Sequence, residues 1–315
     1  MELIRNNSFN NQIIFTTGQS GSGKILICKV LEGFQGVERL REDDIFYHIQ
    51  KLWEINKLDT NTAVFLLKVW NDRILYNQMI GRDINFRISD MNSVFKYPYP
   101  TKYLKRAISN LEHASITRLI ENEKPILQNT LSSAICNFTL FHKAFGNRLK
   151  FIYVLRNPIN VINNNYNKGY GSRIGSDPTD IEFCFEHNSE SIPVYALGWE
   201  SNYKNATPLE RMIYNAYALQ KKDFDVYRKL SAKQKKQVLI IDFDKFVVDP
   251  YPYCKVIGRF IKRSALSCIT DILKQENCPR KQETSGKEIA CSSEYLLILK
   301  NLLREYRDFI EEFTR

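Results

Sequence analysis

A short apolar strand, a glycine-rich loop and a helix follow one another directly near the start of the chain. The segment NQIIFTTG, residues 11–18, is apolar and β-branched and ends in glycine, which is typical of a buried strand. The loop GQSGSGK, residues 18–24, leads into KILICKVL, residues 24–31, whose apolar residues indicate a helix packed on a sheet. This order predicts an α/β fold in which the first loop binds a phosphate-like anion at a helix N-terminus.

The loop has the spacing of a P-loop, in which backbone N–H groups and the helix dipole hold the anion and Lys24 adds a cation. P-loop NTPases place a Ser or Thr that ligates Mg²⁺ at the next position, where this chain has Ile25. Because Ile25 has no hydroxyl, the loop fits metal-free sulfuryl transfer or anion binding better than a kinase. The residues that we expect to contact the nucleotide are Gly18, Gln19, Ser20, Gly21, Ser22, Gly23, Lys24 and Ile25.

The clearest strand of the chain is FIYVL, residues 151–155, which is followed by a polar Arg-Asn-Pro turn. An unbroken apolar run of this kind indicates burial on both faces, and therefore a parallel sheet covered by helices on each side. The segments KPILQNT and KKQVLIIDFDKF supply further strands. We predict a P-loop-containing three-layer α/β/α fold with a central parallel sheet, built as a single domain over residues 1–315.

Helical patterns dominate residues 37–120, and an amphipathic helix follows Thr207, its predicted N-cap, with Pro208 at the first position. The last segment, SSEYLLILKNLLREYRDFIEEF, predicts a long C-terminal helix. Residues 167–206 are rich in Gly, Ser and Asn with scattered aromatic residues. We expect them to form a long loop with short helices that covers the site.

The net charge of +10 suits an anionic ligand, a nucleic acid or a membrane surface, although a lysine-rich composition without function would also produce it. We expect a nucleotide ligand and no nucleic-acid partner. The seven cysteines include no Cys-x-x-Cys pair, which argues against a zinc site and a disulfide framework. The N-terminus lacks a signal-peptide pattern and no apolar run reaches 18 residues, so we expect a cytoplasmic protein without an integral membrane segment.

The segment FIYVLRNPINVINNNY resembles the 3′-phosphate-binding segment of sulfotransferases that use 3′-phosphoadenosine 5′-phosphosulfate (PAPS). That family has an apolar strand, Arg-Asn/Asp-Pro, and a helix with a Ser eight residues after the Arg. The resemblance implies that Arg156 holds the 3′-phosphate with its planar, permanently charged guanidinium. Asn164 stands where the family has Ser and can still donate a hydrogen bond.

The glycine loop resembles the 5′-phosphosulfate loop of the same family. Aligned on Ser22 and Gly23, Gly18 matches the family's first Gly, whereas Gly21 replaces an Arg or Lys. The resemblance implies that Lys24 stabilises the charge that develops on the bridging oxygen of the leaving phosphate. The segment VLIIDFDKFVVDPYPYCKVIGRFI also resembles the family, and the order and spacing of motifs hold over about residues 10–262.

The family's general base is a His in the cytosolic branch, but the corresponding region KPILQNTLSSA contains no His. The chain is therefore more similar to the tyrosylprotein, glycan-type and bacterial sulfotransferases that use a Glu. That similarity implies Glu42 as the catalytic base, with Asp43 and Asp44 as alternatives and with an acidic helix start as the structural explanation. The four histidines, His48 among them, match no metal or triad spacing and are interpreted as structural.

A basic segment near the end, CPRKQETSGKE, resembles the loop that closes over the 3′-phosphate. Arg280, Lys281 and Lys287 are its candidate contacts, and a solvated charge run is the alternative.

Together these features predict a PAPS-dependent sulfotransferase that releases 3′-phosphoadenosine 5′-phosphate (PAP) and uses no metal. A P-loop kinase of a small molecule that uses ATP–Mg²⁺, and a non-catalytic relative that binds a nucleotide or polyanion, are the alternatives. The sequence leaves open whether the acceptor is a small molecule, glycan, lipid or peptide, and it does not indicate the oligomeric state.

Overall fold

The computed structural model describes residues 2–41, 44–109, 111, 113–281 and 289–314. Its strands are β1 (Ile13–Gly18), β2 (Leu127–Ser132), β3 (Leu149–Leu155), β4 (Cys184–His187), β5 (Glu190–Pro193) and β6 (Val238–Asp242). Four of them form a central sheet in the spatial order β2-β1-β3-β6, and all three pairs are parallel. The predicted central parallel sheet is thereby confirmed.

Helices occupy most of the remaining chain. Their bounds are α1 (Lys24–Leu31), α2 (Ile45–Glu54), α3 (Thr60–Met79), α4 (Pro100–Ala107), α5 (His113–Glu123), α6 (Phe138–Phe145), α7 (Pro158–Asn167), α8 (Tyr170–Arg173), α9 (Glu200–Asn205), α10 (Pro208–Lys229), α11 (Ala232–Lys235), α12 (Phe243–Val248), α13 (Pro250–Ile261), α14 (Ile269–Gln275) and α15 (Ser293–Thr314). The predicted cap of α10 is present, since Thr207 accepts from the Glu210 N–H and the Glu210 carboxylate accepts from the Thr207 N–H. In the described part of the chain, no helix combines the length and apolar character needed to cross a membrane.

Two hydrophobic clusters cover the two faces of the central sheet. Alternate residues of β1 point to opposite sides: Phe15 belongs to one cluster and Ile14 to the other. In β3, Phe151 and Ile152 are divided in the same way. Helices α2, α3, α6 and α10 contribute to the first cluster, and α1, α12 and α13 to the second. The sheet is therefore the middle of three layers, as the unbroken apolar strands predicted.

The chain order of the strands reverses direction at β1. From β1 the chain crosses to β2 on one side, and it then returns to β3 on the other side of β1. In an open α/β sheet, a crevice forms outside the carboxyl ends of the strands at such a reversal, and ligands bind there. Gly18 pairs with Ser132 at this edge, so the glycine loop after β1 and the Arg-Asn-Pro turn after β3 border one crevice.

Residues 167–206, called the cover segment below, contain α8, α9 and a β-hairpin. The hairpin pairs β4 with β5 antiparallel, which the sequence analysis did not foresee. The prediction of a long loop with short helices is therefore only partly right. Seven residues of the cover segment line the large cavity described below, so the predicted location of this segment over the site is confirmed.

Candidate functional site

The glycine loop is held in its shape by backbone conformations that favour glycine. Gly23 is the N-cap of α1 and has a φ of 95°, and a Cβ atom there would overlap the Phe243 ring. Gly21 has a φ of 79°, and a Cβ atom there would lie 3.3 Å from the Cβ and Cγ atoms of Asn164. The loop is thus packed against α7 on one side and against the residue that follows β6 on the other.

The loop directs carbonyl groups toward side chains, and of its N–H groups that of Ser22 donates to the Gln19 carbonyl at 3.1 Å. The Ser20 carbonyl accepts from Asn165 Nδ2 at 3.2 Å, and the Gly21 carbonyl accepts from an Arg156 nitrogen at 2.9 Å. Within the described residues, the backbone N–H groups of Gly21, Gly23, Lys24 and Ile25 donate to no protein acceptor. Free donors at a helix N-terminus form a binding site for a phosphate-like anion.

Lys24 folds back over this loop. Its Nζ atom donates to the carbonyl oxygens of Gly18 and Gln19, both at 2.8 Å. Burial, with a smaller contribution from the charge of Lys168, lowers the pKa of Lys24 to about 7, against the opposing effects of Cys28 and Asp223. A lysine with this pKa is only partly protonated at neutral pH, and a bound anion would favour its charged form.

Arg156 is fixed at the end of β3 by the turn that follows it. The Asn157 side chain accepts from the Ile159 N–H at 3.0 Å and caps α7, whereas Asp244 accepts from the Asn157 N–H at 2.7 Å. The Arg156 guanidinium carbon lies 5.2 Å from the centre of the Phe243 ring. Together with its bond to Gly21, this contact places the arginine directly beside the glycine loop.

A cavity of about 610 Å³ opens at the carboxyl edge of the sheet. Eight of the residues predicted to bind the nucleotide line it: Gln19, Ser20, Gly21, Gly23, Lys24, Ile25, Arg156 and Asn164. Gly18 and Ser22 are not among its lining residues, and the Ser22 hydroxyl is buried behind the loop. The structure therefore brings the two motifs, which are more than 130 residues apart in the chain, to one cavity.

Of the remaining residues predicted for the site, some lie outside the described part of the chain and others do not line the cavity. Glu42, Asp43 and Lys287 lie outside the described residues, whereas Asp44 precedes α2 and lines the cavity. Arg280 donates to the Glu276 carbonyl at 3.0 Å, and its guanidinium carbon lies 6.0 Å from the centre of the same Phe243 ring that Arg156 contacts. Lys281 is exposed, and neither it nor Arg280 is among the residues that line the cavity.

The structure adds lining residues that sequence reasoning missed. Lys168, the C-cap of α7, follows Asn164 by four positions, so helical spacing could have indicated that both lie on one side of the chain there. Lys51 and His48 reach the cavity from α2, and His48 was interpreted as structural. No local signal in the sequence indicated that α2 packs across the end of β2.

No protein-family model and no curated protein sequence matches this chain. Among solved structures, the sulfotransferase domain from the curacin biosynthetic pathway is 12% identical, with a TM-score of 0.52 over 93% of this chain and 97% of that one. The sulfotransferase domain from the Synechococcus PCC 7002 olefin synthase is 13% identical over 98% of each chain, with a TM-score of 0.49. Sulfotransferase STF9 from Mycobacterium avium is 11% identical over 96% of this chain and 77% of that one, with a TM-score of 0.46. The likeness to the curacin-pathway domain shows that this chain has the sulfotransferase fold, as predicted.

Proposed function

We propose that this chain is a PAPS-dependent sulfotransferase that transfers a sulfuryl group from PAPS to an acceptor hydroxyl or amine. The observation that carries the proposal is that Lys24 and Arg156 line one cavity, with unpaired loop N–H groups beside them. A site with two cationic regions suits a ligand that carries phosphate-like groups at two positions. The shared sulfotransferase fold supports the same function.

The residues present fit PAPS. The free N–H groups of the loop and Lys24 would hold the phosphosulfate, and Arg156 and Asn164 would hold the 3′-phosphate. Bound PAPS would supply a sulfuryl group attached to a phosphate that leaves readily. The acceptor oxygen or nitrogen would form a bond to sulfur while the bond from sulfur to the phosphate oxygen breaks, and Lys24 would stabilise the charge left on that oxygen.

Four further parts of the proposal come from the sequence alone. Glu42 is the residue that the sequence proposes for taking the acceptor proton, and Arg280 and Lys281 would add charge near the 3′-phosphate. The acceptor, a small molecule, glycan, lipid or peptide, would bind beneath the cover segment. A cytoplasmic location completes this proposal.

Calorimetric titration with PAP and, separately, with ATP–Mg²⁺ tests the proposal. Wild type should bind PAP, and Arg156→Gln should weaken that binding about 10- to 100-fold, which is the affinity expected from one charge-assisted hydrogen bond. Arg259→Gln is the matched control, because Arg259 is exposed on α13 and is not among the lining residues. Binding of ATP–Mg²⁺ but not PAP, indifferent to position 156, would support the kinase alternative instead. PAP binding without transfer to any acceptor would support the non-catalytic alternative.

A further inference from the structure

His48 lies near the start of α2 and lines the same cavity as Lys24. The Nε2 atom of its imidazole is buried and has no hydrogen-bond partner within the described part of the chain. A buried polar atom without a partner costs free energy, and in a native protein such an atom requires an explanation, of which a catalytic role is one. His48 is therefore a side chain whose polar function the protein alone does not satisfy.

The carboxylates that line this cavity are already engaged or exposed. Glu182 accepts from the Tyr47 hydroxyl at 2.6 Å and from the Phe183 N–H at 3.0 Å. Asp180 accepts from an Arg173 nitrogen at 2.9 Å through Oδ1, whereas its Oδ2 atom is buried and has no partner within the described residues. Asp44 is exposed at the start of α2. Glu182 and Asp44 would have to exchange a partner or shed water before they could take a proton from an acceptor, so Asp180 is the lining carboxylate that competes with His48.

The cover segment holds the His48 ring in place. The Phe183 ring centre lies 4.8 Å from that of His48, and the neighbouring pair Tyr47 and Glu182 is hydrogen bonded. Two successive residues of α2 thus meet two successive residues of the cover segment. This contact fixes the imidazole at the cavity wall, and a neutral imidazole is the side chain best suited to accept a proton near neutral pH.

We propose that His48 is the general base of the transfer reaction, in place of Glu42. This inference rests on the proposed function. The proton of the acceptor hydroxyl or amine passes to a ring nitrogen of His48 as the acceptor atom bonds to sulfur. The bond from sulfur to the 5′-phosphate oxygen breaks at the same time, PAP leaves with the electron pair, and the imidazolium then returns its proton to solvent.

The test measures PAP release from PAPS under single-turnover conditions, with excess protein and with water as the acceptor. The variants are His48→Asn, His48→Gln, His48→Ala, Asp180→Asn and Glu42→Gln. His142→Asn is the matched control, because His142 also has a buried ring nitrogen without a partner and stacks on a phenylalanine, but is not among the lining residues. PAP titration and thermal unfolding establish that each variant is folded.

We expect His48→Asn and His48→Gln to slow PAP release about 10²- to 10⁴-fold while PAP affinity changes less than about threefold. Added imidazole should restore part of the rate of His48→Ala, and His142→Asn should match wild type. A rate lost in Glu42→Gln or in Asp180→Asn but kept in the His48 variants overturns the inference and leaves the proposed function standing. Wild type that binds PAPS without accelerating its cleavage also overturns it, whereas wild type that does not bind PAP overturns the proposed function.

Discussion

The close contact between Gly23 and the Phe243 ring makes Gly23→Ala a sensitive test of the loop geometry. A side chain at φ 95° costs about 1–2 kcal/mol in backbone strain. The new Cβ atom also overlaps a ring that is 4% exposed and cannot move away freely, which adds the overpacking cost of about 1–3 kcal/mol. We therefore expect Gly23→Ala to lower the free energy of unfolding by about 2–5 kcal/mol.

Gly198→Ala is a matched control for this substitution. Gly198 has a φ of 93°, and a Cβ atom there would meet no atom within 4 Å, so this variant bears the backbone strain without the overlap. Urea unfolding should show a lower midpoint for Gly23→Ala than for Gly198→Ala at similar m-values. The corresponding difference in the free energy of unfolding should be about 1–3 kcal/mol. Equal stabilities of the two variants would refute the contact between the loop and Phe243. PAP affinity should fall in Gly23→Ala alone, because only there do the loop N–H groups move.

Three further outcomes follow from the structure. PAP affinity should weaken as the pH rises above about 7, because burial lowers the pKa of Lys24 to about 7 and the neutral amine does not attract phosphate. Calorimetric titrations of Lys24→Met with PAP should lack this pH dependence. Burial raises the pKa of Glu38, but the charges of Lys102 and Arg106 more than reverse this effect and hold the pKa at about 2. The stabilising effect of the Glu38 carboxylate is therefore complete above about pH 4.5 and is lost as the pH falls toward 2. Glu38→Gln should therefore cost about 3–5 kcal/mol in urea unfolding at pH 7, a difference that narrows below pH 4.5. Thr207→Ala should cost about 0.5–2 kcal/mol by the same measurement, through loss of the capping box of α10.

The sequence predicted those parts of the fold in which local and tertiary preferences agree. Strands β1 and β3 each contain a run of buried apolar residues, Ile13–Phe15 and Phe151–Leu155, and they form the two central strands because only a sheet covered on both faces can bury such runs. The glycine loop and the Arg156 turn were recognised because their residue types are set by backbone conformation and charge. Their convergence on one cavity follows from the parallel sheet, whose carboxyl ends share one edge.

The hairpin in the cover segment was missed because its signals are weak. Strands β4 and β5 have only four residues each, and the turn residues Asn188 and Ser189 have φ values of 51° and 61°. A type I′ hairpin turn has positive φ at both positions, which Asn-Gly signals and Asn-Ser does not. His48 was missed for a different reason: whether a helix residue faces a cavity depends on the elements packed across it, here Phe183, 135 positions further along the chain.

Phe243 explains why the site depends on three separate strand ends. It follows β6 directly, its ring fills the space beside Gly23, and the guanidinium groups of Arg156 and Arg280 both lie within 6.0 Å of its centre. One aromatic ring thus positions three segments: the loop after β1, the turn after β3 and the segment after α14. Because that ring is buried and cannot shift without disturbing all three, the spacing between the loop N–H groups and Arg156 is set by the core of the protein and not by the loops themselves.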